Sequence, residues 1–291
     1  MIRSAALAVA SMFAIFRLAG YFSGPVLSAD QIHAIDGEPG RRTAHTPAGP
    51  LSVVTWNIEH GSRYEAILAT LQAQQADVIL LQEVDRFCRR SGGRDVARDL
   101  AYALDMNWVS AGEFQEIGES YGEMAATTGQ AVLSRYPIGG ASVIVFGRQS
   151  GLRWRVNPMQ PRRGGRIALH ARSAGVDFYN VHLESSGADA LRDAQITDVL
   201  GEDGRSPGAA AVIGGDFNNT ARALAPLVAA MGAHGFVDAL GPGTRETSVR
   251  HRHPIDWLFA RGVPGAGGGV RRIEGVSDHF PLAATLDAQA R

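Results

Sequence analysis

The sequence predicts a mixed α/β domain over residues 51–291, and three observations predict it. Short apolar runs that stop abruptly in Gly, Asp or Asn alternate with segments of helical period. The middle of the chain is richer in strands than in helices, so both parallel and antiparallel pairing are expected. No repeat and no break in composition divides the span, so it reads as one domain.

The elements follow in order. "LSVVTWNI" opens as a strand, and residues 63–75 follow as a helix with Ile67, Leu68 and Leu71 on one face. "DVILLQEV" is a second apolar strand, with a helix near 94–105 behind it. Strands then crowd together in "NWVSAG", "QAVLSRYPI", "ASVIVF", "RIALHAR" and "VDFYNVHLE". A helix near 187–200 leads into "AAVIGGDFN", and another lies near 221–232. The last strands are "PIDWLFA", "GVRRIEGV" and "FPLAATLDA".

The N-terminus reads differently. Arg3 precedes an apolar run from Ala5 to Phe16, the pattern of a secretory leader. The run is short for a membrane span, and no A-x-A cleavage site follows. Residues 1–29 are expected to be a signal peptide or N-terminal membrane anchor, placing the protein in the periplasm or outside the cell. A misassigned start would leave it cytoplasmic. Residues 30–50, "DQIHAIDGEPGRRTAHTPAGP", have no period and read as a flexible linker.

Composition excludes some chemistry. A net charge of −1 gives the whole molecule no attraction for nucleic acid or acidic membranes. Cys88 is the only cysteine, so an intrachain disulfide and a cysteine zinc site are both ruled out. "RFCRR" has none of the features that activate a thiol nucleophile.

The polar strand ends carry the functional signal. Asn57 and Glu59 end one strand, Asn180 and His182 another, Asp216 and Asn218 a third. Spacing of two puts each pair on one face of an extended chain. Glu83 closes an apolar strand, Asp256 sits inside another, and Asp278 and His279 precede the last. Polar groups at buried strand ends need partners, and several at one sheet edge would make a convergent site. One glutamate with carboxamide and water oxygens suits a hard cation such as Mg²⁺ better than zinc. A histidine held by an aspartate binds phosphate or moves protons.

These residues, in this order, resemble the endonuclease/exonuclease/phosphatase superfamily, the DNase I-like phosphoesterases. The matches are "TWNIEHG", "LLQEV", "GQAVLSRYPI", "NVHLES", "GGDFNN", "PIDWLF" and "SDHFPL", and they cover about residues 51 to 288. The resemblance implies a four-layer sandwich of two packed β-sheets flanked by helices, with the site at one edge. It implies Mg²⁺, with Mn²⁺ as a substitute, near Glu83, Asn57 and Asp278. Asp216 would position or deprotonate the attacking water, and Asn218 would bind phosphate or the nucleophile. His279, oriented by Asp256, would bind phosphate or act as base. His182 would stabilise the transition state or protonate the leaving oxygen. The expected activity is metal-assisted phosphodiester hydrolysis by a monomer with no protein partner, an exported nuclease first. A phospholipid or sphingomyelin head-group phosphodiesterase, or a small-molecule phosphatase, is the alternative. An inactive binding member of the family comes after it.

Other residues read as structural. Glu59 matches no family position, and "SRYPI" supports a strand end with Arg135 as a phosphate contact at most. His251 and His253 belong to a loop, and His170 and His234 lack convergent partners. Between Met124 and Val176 there is no acid but there are arginines at 135, 148, 153, 155, 162, 163, 166 and 172. That stretch is expected to line an anionic substrate's groove, with Trp154 stacking on bases or touching a membrane.

Overall fold

The structure, a computed structural model, describes residues 25–42, 49–120, 123–150, 161–205, 208–241, 243 and 245–287. The strands in chain order are Ile35–Glu38 (β1), Leu51–Asn57 (β2), Val78–Arg86 (β3), Asn107–Glu116 (β4), Thr127–Ser134 (β5), Ile138–Val145 (β6) and Arg162–Gly164 (β7). Then come Ile167–Ser173 (β8), Val176–His182 (β9), Ala211–Asp216 (β10), Val237–Asp238 (β11), Asp256–Arg261 (β12), Gly265–Val270 (β13) and Leu282–Leu286 (β14). The α-helices are Ala29–Ile32 (α1), Tyr64–Gln74 (α2), Val96–Leu104 (α3), Asp189–Asp203 (α4) and Leu224–Ala233 (α5).

Two mixed sheets pack face to face. The 8-stranded sheet runs β1-β4-β5-β3-β2-β14-β13, with β7 also on β4, and the 6-stranded sheet runs β11-β12-β10-β9-β8-β6. Strand alternation builds the layers. Leu51 and Val53 face the other sheet, where they meet Phe178, Val212 and Leu258. Val54 and Trp56, one residue out of step, face α2 and α3 through Ile67, Leu71, Val96 and Leu100. On the smaller sheet, Ala211 and Ile213 face away from it toward α4 and α5 through Ile196, Val199, Leu227 and Met231. The result is the expected four-layer sandwich, helices outside and sheets inside. Each fully buried Leu, Val or Phe in these layers contributes about 1.5–3 kcal/mol.

The same alternation carries the inter-sheet face into polar residues. Val212, Gly214 and Asp216 share one face of β10, as do Phe178, Asn180 and His182 on β9. Two glycines allow close packing here, Gly214 against Leu80 of the facing sheet and Gly215 against the neighbouring strand β9. A Cβ on Gly214 would lie 2.6 Å from Leu258 Cδ2, and one on Gly215 would lie 1.9 Å from the Val181 carbonyl oxygen. Gly215 also has a φ of +145°, which a side chain disfavours. Gly215→Ala should therefore cost more than about 1 kcal/mol, read as a lowered denaturation midpoint with an unchanged slope.

The structure corrects several expectations. Part of the expected linker is built into the domain: α1 carries a capping box at Ser28, and β1 pairs antiparallel with β4 from Ile35↔Ala111 to Glu38↔Trp108. The His33 ring (Nδ1) hydrogen-bonds the Gly112 carbonyl at 2.9 Å. The strand expected at 269–276 lies earlier, at Gly265–Val270, where its glycines let β13 lie close to β14 and Ala239. Glu83 does not end its strand, because β3 continues to Arg86 past a bulge. The leader or anchor reading covers residues 1–29, of which 1–24 lie outside the described residues, while Pro25 and Leu27 hydrogen-bond Gln115 of β4. No helix among the described residues is long and apolar enough to cross a membrane.

Candidate active site

Strand ends from both sheets meet at one edge of the sandwich, and register sets much of the arrangement. Asp216 pairs with His182 on the parallel β9 and with Asp256 on the antiparallel β12. Three neighbouring strands thus place these side chains in a row. Asn57, at the end of β2, reaches across from the other sheet and donates from Nδ2 to Asp216 Oδ2 at 3.2 Å. Asn218, at a left-handed φ of 48°, donates its backbone N–H to Asp216 Oδ1 at 3.0 Å. Its Nδ2 donates to the Leu183 carbonyl at 3.1 Å. His279 enters from the turn before β14, with Nδ1 3.0 and 2.9 Å from the two oxygens of Asp256. Asp216 Oδ2 is the common focus: His182 Nε2 lies 3.5 Å from it and His279 Nε2 3.7 Å.

Glu83 is the extra residue of the β3 bulge. Register shifts between Gln82 and Val84, and Glu83 takes a left-handed φ of 52°. A bulge beside a site re-aims a side chain that strict alternation would turn to the opposite face. His60 Nε2 lies 3.3 Å from Glu83 Oε2, and its Nδ1 lies 3.4 Å from Asp85 Oδ1. Asp85 is held by Arg90 through two bonds of 2.7 and 2.8 Å.

The charges of these groups are strongly biased. Burial pushes the Asp216 carboxyl up, the Asp256 charge adds to this, and the His279 charge only partly opposes it, leaving its pKa at about 7. Burial would lower His279, but the Asp256 and Asp216 charges override it and raise it to about 10. Burial, with the Arg166 and His279 charges, holds His182 well below the usual histidine range. Burial would raise Glu83, yet His60, Arg166, His279 and the Asn57 carboxamide together bring it below its ordinary value.

Asn57, Glu83, His182, Asp216, Asn218, Asp256 and His279 are thus brought together. Asp278 stands at the rim, half-buried, 3.6 Å from Arg250. Asn180 bridges the sheets: it accepts from Gln82 Nε2 at 2.6 Å and donates to the Leu81 and Ala131 carbonyls. Asn219 accepts from Trp257 Nε1 and donates to the Pro254 carbonyl, so it secures the loop behind the site. Glu59 pairs with Arg63 on the outside, while His251 bonds to Ser248 within its own loop and His253 to the Asn219 carbonyl of the loop after β10. His170 does have a partner, Asp177 at 2.9 Å, at the far end of β9 from His182.

The arginine-rich stretch is not one surface. Arg135 donates to the Ala76 carbonyl before β3, and Arg172 pairs with Asp177; both lie at the end of their sheets opposite the site. Arg166 is buried beside His182, and Arg162 stacks over Phe114 at 4.1 Å. Arg153, Trp154 and Arg155 lie outside the described residues. The sequence places Arg166 along the substrate groove without its contact to His182, and gives no role to Glu113, His60 or Asp85. Arg166 carried a signal, since it stands at the head of the apolar strand "RIALHAR" as Asp256 heads "DWLFA".

The donor set can be tested against a cation. Asp216, Asp256 and His279 offer ligand atoms within 4.8 Å of one another. His279 Nδ1 and Asp256 are engaged with each other, however, and Asp216 accepts from Asn57 and Asn218. The ionised Glu83 is an oxygen donor of the kind a hard cation takes, while Asn57 accepts the Glu59 N–H at Oδ1 and turns its Nδ2 to Asp216.

A DNase I-like α/β sandwich with buried carboxylates and imidazoles at one edge is the class that fold and site define. The chain belongs to the Endonuclease/Exonuclease/phosphatase family, whose model matches residues 54–279. No curated protein matches it. Among solved structures it is similar to an endonuclease/exonuclease/phosphatase from Beutenbergia cavernae, with 21% identity over 82% of this chain and 72% of that one, TM-score 0.59. It is also similar to a humanized Danio rerio TDP2, at 17% identity over 82% and 99%, TM-score 0.57. A Bacteroides thetaiotaomicron mannosyl-6-phosphatase is similar at 18% identity over 81% and 99%, TM-score 0.56.

Proposed function

We propose that this protein is an Mg²⁺-dependent phosphoester hydrolase that cleaves a phosphodiester by in-line attack of water, with nucleic acid the first substrate to test. The observation that carries this is the focus on Asp216 Oδ2. A buried carboxylate titrating at about 7 lies between a charged imidazole and a neutral one. Such a carboxylate orients water and takes its proton at neutral pH. His279, fixed by Asp256, presents a positive Nε2 to a phosphoryl oxygen. Asn218 fixes the Asp216 carboxylate through its backbone N–H. Glu83 and Asn57 would hold the cation, with Asp278 adding negative charge at the rim. When bound, the cation neutralises charge on the phosphoryl oxygens. We also propose that residues 1–29 direct export or anchoring, and that the protein acts as a monomer.

The test is hydrolysis of plasmid DNA, RNA, sphingomyelin and a chromogenic phosphodiester with and without EDTA, using His279→Ala as control. Activity on DNA or RNA that needs Mg²⁺ or Mn²⁺ is expected; full activity in excess chelator would refute the metal assignment. Glu83→Gln should weaken Mg²⁺ binding by calorimetry, whereas Asp216→Asn should bind Mg²⁺ nearly as well and turn over slowly. Equal loss of Mg²⁺ affinity in both would contradict the division of roles.

Support for a phosphomonoester comes from one similar structure, a mannosyl-6-phosphatase. Release of inorganic phosphate from a sugar phosphate, with no cleavage of any diester, would favour that reading.

A further inference from the structure

Arg166 is buried at the head of β8, and one of its terminal nitrogens has two neighbours. Nη1 lies 2.8 Å from Glu113 Oε2 and 2.8 Å from His182 Nδ1. Glu113 is fixed in turn by Gln130, whose Nε2 donates to Oε1 at 3.0 Å. A guanidinium has only donors and does not lose its charge in a protein. Its contact with Nδ1 is therefore a bond donated to an imidazole lone pair. The ring proton of His182 must then sit on Nε2, the nitrogen that faces Asp216 Oδ2 at 3.5 Å. An imidazolium, or the other tautomer, would set N–H against N–H in a buried contact.

The surroundings agree from every side. Positive groups facing the ring are Arg166, Arg162, His279 and His60; negative ones are Glu113 and Asp216. Glu113 is the carboxylate that could accept a proton-bearing Nδ1, but it lies 3.7 Å away with Arg166 bonded to both.

We propose that Arg166, braced by Glu113, is a positioning residue that locks His182 as a neutral Nε2–H hydrogen-bond donor to a phosphoryl oxygen. This rests on the phosphoester hydrolase reading. In that reaction the water oxygen bonds to phosphorus as the bond to the leaving oxygen breaks. The water's proton goes to Asp216, and the leaving oxygen takes its proton from solvent. His182 keeps its own proton throughout.

The ring itself gives the first test. Long-range ¹H–¹⁵N spectra of the wild-type protein, assigned with His182→Gln, should show a bare Nδ1 and a protonated Nε2 from pH 6 to 9. An imidazolium or an Nδ1–H tautomer would overturn the proposal, whether or not the protein proves to be a hydrolase. Leaving groups give the second. His182→Gln should lose roughly 10²–10³-fold in kcat on aryl phosphodiesters of low and high leaving-group pKa alike, as for loss of a transition-state hydrogen bond. A loss confined to the poor leaving groups would make His182 a general acid and overturn it. Arg166 gives the third. Arg166→Met combined with Glu113→Gln removes both buried charges, and should lower kcat with little change in KM while the ring proton shifts toward Nδ1. Arg166→Lys keeps a cationic donor and should restore the Nε2–H signature. An unchanged ring in the double variant would refute the role of Arg166. A wild-type protein inert on every phosphoester would sink the hydrolase reading separately, leaving the ring measurement to decide the tautomer.

Discussion

Asp216→Asn is expected to give a protein no less heat-stable than wild type at pH 8 but slower in turnover by roughly 10²–10⁴-fold. Both halves follow from one fact. Burial, with the nearby Asp256 charge, raises Asp216 to about 7, above the unfolded value of about 3.9. Folding therefore works against ionising this group. The cost is absent below about pH 4, grows as pH rises, and is fully present above 7. Asparagine removes it, so the variant's relative stability should improve between pH 4 and pH 8 in thermal melts. Catalysis loses the group that takes the water's proton. A variant that melted well below wild type at pH 8 would identify Asp216 as a structural anchor.

The second large effect concerns Asp256 and His279. In wild type, kcat/KM should fall on the alkaline side as His279 loses its proton near 10. Asp256→Asn removes the charge that raises His279 but leaves an oxygen to accept from Nδ1. The alkaline limb should then move down toward the ordinary histidine range near 6.5, costing most of the activity at pH 8. His279→Ala should cost as much activity, plus about 3–5 kcal/mol of stability, because it strands the buried Asp256 carboxylate. A double variant no slower than the worse single would show one functional unit; fully additive losses would contradict it. The pair also sets a stability window. The raised His279 contributes fully below about pH 6.5, and its contribution is lost as pH rises through about 10.

Much of the site was legible because one rule governs core and chemistry. Strand alternation puts Val212 between the sheets, and two steps of two residues later it puts Asp216 in the site. Asn57, His182 and Asp256 follow the same parity as core residues on their own strands. Glu83 was found from sequence for a reason that the backbone does not honour, since it occupies a bulge that alternation cannot foretell. The partners of the imidazole rings were less visible. Glu113 meets His182 through pairings distant in sequence, and Arg166 reads only as one arginine of a groove-lining run because charge density in sequence carries no depth. β1 was missed because "IDGE" has neither the length nor the apolar period of a strand, and its pairing with β4 is tertiary.

That small strand bears on how the larger sheet avoids pairing with other chains. Sheets attract other sheets through the open hydrogen-bonding groups of their outermost strands. The outermost strands of the larger sheet are β1 and β13, with the three-residue β7 beside β1 on β4. β1 spends two of its four residues on Asp36 and Glu38, and four of the six residues of β13 are glycine, so neither offers a foreign chain a favourable template. Cutting the chain at residue 51 would strip β1 and lay bare Trp108 to Ala111 of β4, a longer and more apolar template. Ile35–Glu38 thus acts as a guard against self-association, and a trimmed protein should precipitate at concentrations the full chain tolerates.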